Sequence, residues 1–391
     1  MRRILPAPGL AAREQRGIDM RVVQLLPELN EGGVERGVVE LNREFVRRGV
    51  DSLVISRGGR LVRQIAVDGG RHETFDVCSK NPLTLASRVA GLRRLLARLK
   101  PDIIHARSRV PAWLCLLANR RLQLPFVTTV HGMNSVSFYS RVMTRGDRVI
   151  CVSEVVRDYI LKHYPVDAGR ITVIQRGVDM DVFNPETTDR EFIKAFRQRY
   201  GLQDRFVVTS VGRITWLKDY ESFIRAIALC REDMPDITGL IVGGVREDKR
   251  DYLAGLQRLA TKCGVSDRIV FAGNQAEMPE IYQLSDVVVN ASLKMGNVGR
   301  TVTEALAMDT PVIATTYEGL QNLVVDGVNG YVVANRDPEG LAHGIRQLAR
   351  SPIMHTRASI PEEFTLDAMV AGTLAVYRSL AGAHADAQAG V

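Results

Sequence analysis

The sequence predicts an α/β protein made of two doubly wound parallel sheets. Short runs rich in valine and isoleucine alternate with longer segments of helical periodicity along most of the chain. Continuous apolar runs of this kind are typical of strands that are buried on both faces of a parallel sheet. A length of 391 residues allows two separate cores, and a turn-rich segment at 175–185 divides the two alternating halves.

The predicted strands and domain boundaries follow from this alternation. In the first half, strands are predicted at 21–26, 102–105, 126–131, 148–152 and 171–175, and residues 21–56 are predicted to form a strand–helix–strand unit whose second strand ends at Ser56. In the second half, strands are predicted at 206–212, 239–242, 268–271, 287–290, 311–316 and 330–333. We expect an N-terminal domain at 20–178 that includes a returning helix at 365–380, and a C-terminal domain at 186–360.

Both ends of the chain are expected to be disordered. Residues 1–19 contain two prolines and many charged residues, and Met20 directly precedes the first predicted strand, so we expect a leader before a true start at Met20. Residues 381–391 form a tail of small residues, for which we expect no fixed structure.

The chain is basic, with 52 Lys and Arg against 44 Asp and Glu, a net charge of +8 and a pI near 9.4. The segment 88–100 has the pattern of a basic amphipathic helix. This pattern fits a solvated surface equally well as contact with an anionic membrane or an acidic acceptor. No nucleic-acid-binding motif accompanies it, so nucleic acid is not an expected partner.

Cysteine usage and hydropathy predict a cytoplasmic protein. The five cysteines are widely spaced and form no C-x-x-C pair, so neither a disulfide framework nor a zinc site is expected. No apolar run approaches the ~18 residues that are needed to cross a bilayer.

The segment 287–316 is predicted to form a ligand site. It has the pattern of a buried strand, a glycine-containing loop, a short helix and a second buried strand. Unpaired N–H groups at the helix start, around Gly299 and Thr301, favour phosphate, and Arg300 adds positive charge there. Glu304 could accept hydrogen bonds from sugar hydroxyls, or it could be an acid that the helix dipole favours in the first turns.

Other candidate residues follow predicted strands, where ligands of doubly wound sheets bind. Arg213 and Lys218 follow the strand at 206–212 and could contact phosphate, or they could be surface cations of a loop. Four residues of the first half fall at the corresponding rim: Gly32, Gly33, His105 and His131.

The segment GRTVTEALAMDTPVIAT at 299–315 resembles the donor site of retaining glycosyltransferases of family 4. The resemblance covers about residues 20–380. It implies the GT-B fold, in which two Rossmann-like domains face each other across a cleft. It also implies that Glu304 holds the ribose hydroxyls of a nucleotide sugar.

The resemblance assigns further roles. Arg213 and Lys218, in VGRITWLKDYE, would contact the donor diphosphate, and His131, in TTVHGMN, would lie near the donor sugar. Gly32 and Gly33 would form a flexible loop over the donor phosphates. No metal or other cofactor is implied, and we interpret the formal D-x-D at 179–181 as part of the linker.

The chain departs from the family pattern at Gly296, where relatives have the first glutamate of an E-x7-E pair. Asn297 or Lys294 could partly replace the contact that this glutamate makes with the transferred sugar. We expect a retaining, metal-independent hexosyltransferase that acts on a glycan or lipid-linked glycan of the cell envelope, in lipopolysaccharide or exopolysaccharide synthesis. The inner face of the cytoplasmic membrane is an expected location. A catalytically impaired nucleotide-sugar-binding protein and a GT-B sugar-nucleotide 2-epimerase remain alternatives.

Overall fold

In a computed structural model, the chain forms two compact α/β units. The structure describes residues 20–30, 32–293, 300–316 and 320–389. The chain passes from the first unit to the second after Ile174 and returns to the first unit at Val370. The predicted leader at 1–19 lies outside the described residues.

The first unit is built on a seven-stranded parallel sheet with the order β3-β2-β1-β4-β5-β6-β7. Its strands are β1 (Arg21–Leu25), β2 (Asp51–Ser56), β3 (Arg71–Thr74), β4 (Ile103–Ala106), β5 (Phe126–Val130), β6 (Arg148–Cys151) and β7 (Ile171–Val173). The helices between them are α1 (Gly33–Arg47), α2 (Val62–Val67), α3 (Leu85–Leu99), α4 (Arg109–Asn119) and α5 (Glu154–His163).

The second unit is built on a six-stranded parallel sheet with the order β10-β9-β8-β11-β12-β13. Its strands are β8 (Phe206–Val211), β9 (Ile237–Val242), β10 (Ile269–Gly273), β11 (Val287–Asn290), β12 (Val312–Thr315) and β13 (Gly330–Val333). Its helices are α6 (Arg190–Tyr200), α7 (Tyr220–Cys230), α8 (Arg250–Lys262), α9 (Met278–Gln283), α10 (Arg300–Ala307) and α11 (Pro338–Arg350), and α12 (Leu366–Ala389) ends the described chain.

The central strands explain the apolar runs of the sequence. Val22 and Val23 in β1, and Ile103 and Ile104 in β4, are all completely buried. Successive side chains of a strand point to opposite faces, so helices must cover both faces of this sheet. Each buried side chain of this size contributes roughly 1.5–3 kcal/mol to folding. The predicted fold class, with two doubly wound parallel sheets, is confirmed.

The sequence analysis missed strand β3 and was wrong about the C-terminal tail. The sequence of β3, RHET, is polar and lies at the edge of the sheet, so it lacks the apolar run of a buried strand. Helix α12 continues through Ala389 instead of ending at Leu380. Alternate residues from 381 to 389 are alanine, which has the highest helix propensity. Among the described residues, no helix is long and apolar enough to cross a membrane.

Arg357 fixes the segment that leads into the second unit. Its guanidinium donates hydrogen bonds to the carbonyl oxygens of Met180 (2.6 Å) and Phe183 in that segment. It also donates to the carbonyl of Ala307 (2.7 Å), at the C-terminal end of α10, where the helix dipole stabilises a cation. One arginine therefore joins the entering segment to the end of α10.

We expect Arg357→Ala to lower the free energy of unfolding of the second unit by about 2–4 kcal/mol, because three carbonyls lose a charged donor. Urea denaturation followed by Trp216 fluorescence, in a Trp113→Phe background, measures this change. Arg350→Ala is the matched control, since Arg350 is exposed at the end of α11, and it should change stability by less than about 0.5 kcal/mol. Equal changes in the free energy of unfolding for the two substitutions would show that the three hydrogen bonds do not stabilise the second unit.

Candidate active site

The end of β8 brings two cationic side chains together around Gly212. The φ of Gly212 is +153°, a value that favours glycine, and a Cβ atom there would lie 2.6 Å from Cε of Lys218. The hydroxyl of Tyr220 donates a hydrogen bond to the Gly212 carbonyl (2.6 Å) and fixes this turn. Arg213 follows directly and is exposed. The predicted Arg213 and Lys218 therefore share one strand end, and glycine leaves the space in which Lys218 lies.

Lys218 is held against the neighbouring strand of the sheet. Its Nζ donates a hydrogen bond to Oγ of Ser292 (3.2 Å), and Ser292 in turn donates to the side-chain oxygen of Asn290 (2.6 Å) at the end of β11. The backbone N–H of Leu293 donates to the carbonyl of Leu217 (2.9 Å), so the loops after β8 and β11 are joined. Burial, and then the nearby charge of Arg213, lower the pKa of Lys218. The site is therefore a place where an anion would be favoured.

Glu304 lies within a buried hydrogen-bond network. It is 7% exposed, one turn into α10. Its carboxylate accepts a hydrogen bond from the hydroxyl of Tyr282 (2.8 Å) and an ion-paired one from Nε of Arg300 (2.9 Å). Burial and the carboxylate of Glu304 raise the pKa of Tyr282 well above its ordinary value, so the phenol remains a donor. The network fixes the orientation of both carboxylate oxygens.

The structure thus places three of the predicted donor-site residues on α10. Arg300, Thr301 and Glu304 all lie in its first two turns, and α10 follows β11, the strand beside β8. Because the carboxyl ends of parallel strands meet at one edge of a sheet, α10 starts at the same edge as the Lys218 loop. The guanidinium of Arg300 forms an ion pair with Glu304. The predicted Asn297 and Gly299, like Gly296 and Lys294, lie outside the described residues.

The remaining predicted residues belong to the first unit. Gly32 precedes α1 with a φ of +149°, and a Cβ atom there would meet the carboxylate of Glu35 at 2.3 Å. Gly33 is the first residue of α1. His131 follows β5 and lines a cavity of 360 Å³ together with Glu35 and Arg107. The structure brings His131 and the start of α1 to the same end of the first sheet.

The expectation that His105 lies at a ligand-binding rim is wrong. Its ring is completely buried, and its two nitrogens bond to the hydroxyls of Tyr377 (2.5 Å) and Thr129 (2.6 Å). Burial, and then the charge of Arg107, keep the pKa of His105 well below its usual value, so the ring is neutral. His105 anchors α12 on the first sheet, a contact that spans 272 positions in the sequence and has no local signal.

The sequence analysis did not identify Tyr282, Asn290 and Ser292. Asn290 and Ser292 are polar residues that directly follow a buried run, which is a usable signal for a residue at a strand end. Tyr282 has no such signal, because it lies on helix α9 and its contact with Glu304 of α10 joins residues that are 22 positions apart. At the D-x-D, the carboxylate of Asp179 accepts hydrogen bonds from the backbone N–H groups of Asp181 and Val182 (3.1 Å each), as in a turn.

Comparisons with known proteins agree with this arrangement. Residues 31–182 match the family described as Glycosyltransferase Family 4, and residues 192–362 match Glycosyl transferases group 1. A D-inositol 3-phosphate glycosyltransferase of Mycolicibacterium smegmatis is 30% identical over 84% of this chain and 81% of its own length. A Streptomyces avermitilis protein of the same name is 27% identical over 94% of this chain and 84% of its own length.

Solved structures show the same fold. A crystal structure of a glycosyltransferase from Rickettsia africae has a TM-score of 0.84, is 26% identical, and covers 93% of this chain and 99% of its own. The Anabaena protein HepE, crystallised with UDP and glucose, has a TM-score of 0.80 at 22% identity and covers 92% of this chain and 100% of its own. These matches define a glycosyltransferase with the GT-B fold. The chain belongs to the glycosyl transferases group 1 family.

We expect the affinity for a nucleoside diphosphate to fall at alkaline pH because of Lys218. Lysine is charged below its pKa and neutral above it. Because the pKa of Lys218 is lowered, its side chain loses its charge at a lower pH than a lysine with the ordinary pKa of 10.5. Lys218→Met should bind weakly at every pH and lack this dependence. Calorimetric titration with UDP, GDP and ADP between about pH 7 and pH 10 measures it.

Lys262→Met is the matched control, since Lys262 is exposed at the end of α8 and should behave like the unmodified chain. If Lys218→Met kept both the affinity and the full alkaline decline, Lys218 would not be the group responsible.

Proposed function

We propose that the chain is a retaining hexosyltransferase that moves a sugar from a nucleotide sugar to a hydroxyl of a cell-envelope glycan acceptor. The observation that carries the proposal is the pair of cations at the end of β8. A half-buried ammonium and an exposed guanidinium beside one glycine form a site for the diphosphate of a donor.

Transfer requires stabilisation of the charge on the leaving diphosphate. As the bond to the anomeric carbon breaks, negative charge grows on the phosphate oxygen, and a preorganised cation lowers the energy of that transition state. Lys218 is already positioned by Ser292, so little reorganisation is needed. Arg213 supplies a second, planar set of donors. No metal is required in this proposal, because the two side chains provide the positive charge.

Glu304 is proposed to orient the donor ribose. Tyr282 and Arg300 each occupy one of its carboxylate oxygens, and each oxygen retains the capacity to accept a further hydrogen bond. Two adjacent hydroxyls of a ribose match two fixed oxygens. The pairing of Arg300 with Glu304 therefore serves orientation, and the diphosphate is left to Arg213 and Lys218.

The first unit is proposed to bind the acceptor, with His131 as a contact to the reacting groups and Gly32 and Gly33 in an adaptable loop. In the retaining route that we propose, the acceptor hydroxyl attacks the face from which the diphosphate leaves, and a phosphate oxygen takes its proton. The anomeric configuration is thereby kept without a sugar–enzyme bond.

The basic charge of the first unit supports a location at the inner face of the cytoplasmic membrane, where lipopolysaccharide or exopolysaccharide precursors are built. Arg94 and Lys100 are exposed on and just after α3, whereas Arg98 pairs with Glu73 (3.1 Å). Exposed cations of this kind are attracted to anionic lipid. The relatives are named for D-inositol 3-phosphate, which supports an acceptor that carries phosphate.

We expect Arg213→Ala and Lys218→Ala each to lower kcat/KM for the best donor by ~10² to 10³, because each removes a donor to the leaving group. Glu304→Ala should weaken binding of the nucleoside diphosphate. The release of nucleoside diphosphate from a panel of nucleotide sugars, with a crude lipid extract as acceptor, measures turnover.

Lys262→Ala should stay within about twofold of the unmodified chain, since its side chain lies on an exposed face. Absence of turnover with every donor would contradict the proposed reaction. NMR of the product gives the anomeric configuration, and an inverted linkage would contradict retention alone.

A further inference from the structure

Arg107 is a buried cation of the first unit. It is 6% exposed, and no described carboxylate forms an ion pair with it. Its Nη1 lies 3.5 Å from both ring nitrogens of His105, which are already bonded to hydroxyls, and its Nε has no hydrogen-bond partner among the described residues. Burial lowers the pKa of Arg107 only to about 10, so the guanidinium is charged at neutral pH. A buried charge of this kind is costly unless an anion pairs with it.

The cavity beside Arg107 has the features of an anion site. Its volume is 360 Å³, and its lining includes Arg109 and Ser108, at the N-terminus of α4. The hydroxyl of Ser108 does not cap this helix, and Pro111 has no N–H, so the donors of the first turn that remain for a ligand are the N–H groups of Arg109 and Val110. Among the residues that the structure describes, the lining has one carboxylate, that of Glu35, against the two arginines. The local charge therefore favours a phosphate.

An apolar groove of 620 Å³ lies along the same helix. Trp113 of α4 packs against Phe138 with ring centroids 5.4 Å apart, and its indole N–H donates to the carbonyl of Tyr139 (3.0 Å). Phe138 is 76% exposed, and Leu85 and Leu117 also line the groove. Exposed aromatic and aliphatic groups in one groove indicate a site for an apolar ligand.

Arg109 forms the border between the cavity and the groove. Its guanidinium carbon lies 5.3 Å from the ring centroid of Tyr139, which lines the groove, and its Nη1 donates to Oγ of Ser140 (3.2 Å). Arg109 therefore lines the cavity, while its guanidinium stacks on a ring that lines the groove. A single ligand that fills both must have an anionic head and a hydrocarbon chain.

We propose that the first unit binds a lipid phosphate, with its phosphate at Arg107 and Arg109 and its hydrocarbon chain in the groove of Trp113 and Phe138. This inference rests on the proposed function, because it assigns the acceptor to the class of lipid-linked phosphates. It commits to a lipid as the source of the phosphate, since a water-soluble phosphate would leave the groove unfilled.

Binding of decyl phosphate to the full chain tests this inference. The chain has two tryptophans, so Trp216→Phe leaves Trp113 in the groove as the only indole. Decyl phosphate, below its micellar concentration, should shift the Trp113 emission to the blue. In calorimetry it should bind at least about tenfold more tightly than inorganic phosphate, because burial of a hydrocarbon chain adds to anion binding.

Three variants separate the two parts of the site. Phe138→Ser should weaken decyl phosphate about tenfold and leave inorganic phosphate unchanged, whereas Arg109→Gln should weaken both. Val67→Ser is the matched control, because Val67 is 69% exposed at the end of α2 and does not line the groove, and it should change neither.

Two results would overturn the inference. One is equal affinity for decyl phosphate, inorganic phosphate and a soluble inositol phosphate, which would indicate a phosphate site alone. The other is equal binding of decyl maltoside, which would indicate apolar adsorption without anion recognition. These titrations contain no nucleotide sugar, so a failure of donor turnover would count against the proposed transferase and leave the lipid result standing.

Discussion

The candidate site of the second unit depends on one contact, the packing of Lys218 against Gly212. A side chain at position 212 would overlap the lysine, and the serine that accepts its hydrogen bond lies beyond the neighbouring strand. The sheet therefore builds the site: β8 supplies the glycine turn, β11 supplies Asn290 and Ser292, and the hydroxyl of Tyr220 holds the carbonyl of the turn. A partly desolvated ammonium fixed in this way is poised for an anion, because a ligand can restore the stabilisation that burial removes.

The first unit uses the same electrostatic principle with different residues. Arg107 is buried beside a neutral histidine whose nitrogens are already bonded to hydroxyls, and no carboxylate of the described residues forms an ion pair with it. Arg109 extends that charge to the edge of an apolar groove. Positive charge at the ends of strands and at the start of a helix thus suits the anionic ligand that we propose for each unit, a departing diphosphate in one case and a lipid phosphate in the other.

Features that arise from continuous stretches of sequence were predictable. The buried strands, the position of Arg213 and Lys218 after one of them, and the helix that carries Glu304 all follow from local patterns of hydrophobicity. Features that arise from distant contacts were not. The pairings of Tyr282 with Glu304 and of His105 with Tyr377 join different elements, 22 and 272 positions apart, so neither residue type nor local spacing indicates them. The ion pair between Arg300 and Glu304 lies within one helix and has the usual i,i+4 spacing. From the sequence alone, however, it was equally reasonable to expect Arg300 to bind a phosphate.

A crystal structure with the tightest-binding nucleoside diphosphate tests the central claim most directly. The account predicts that diphosphate oxygens lie within hydrogen-bond distance of Nζ of Lys218 and of the guanidinium of Arg213, with ribose hydroxyls at the carboxylate of Glu304. A diphosphate bound elsewhere in the chain, with Lys218 still bonded only to Ser292, would contradict it.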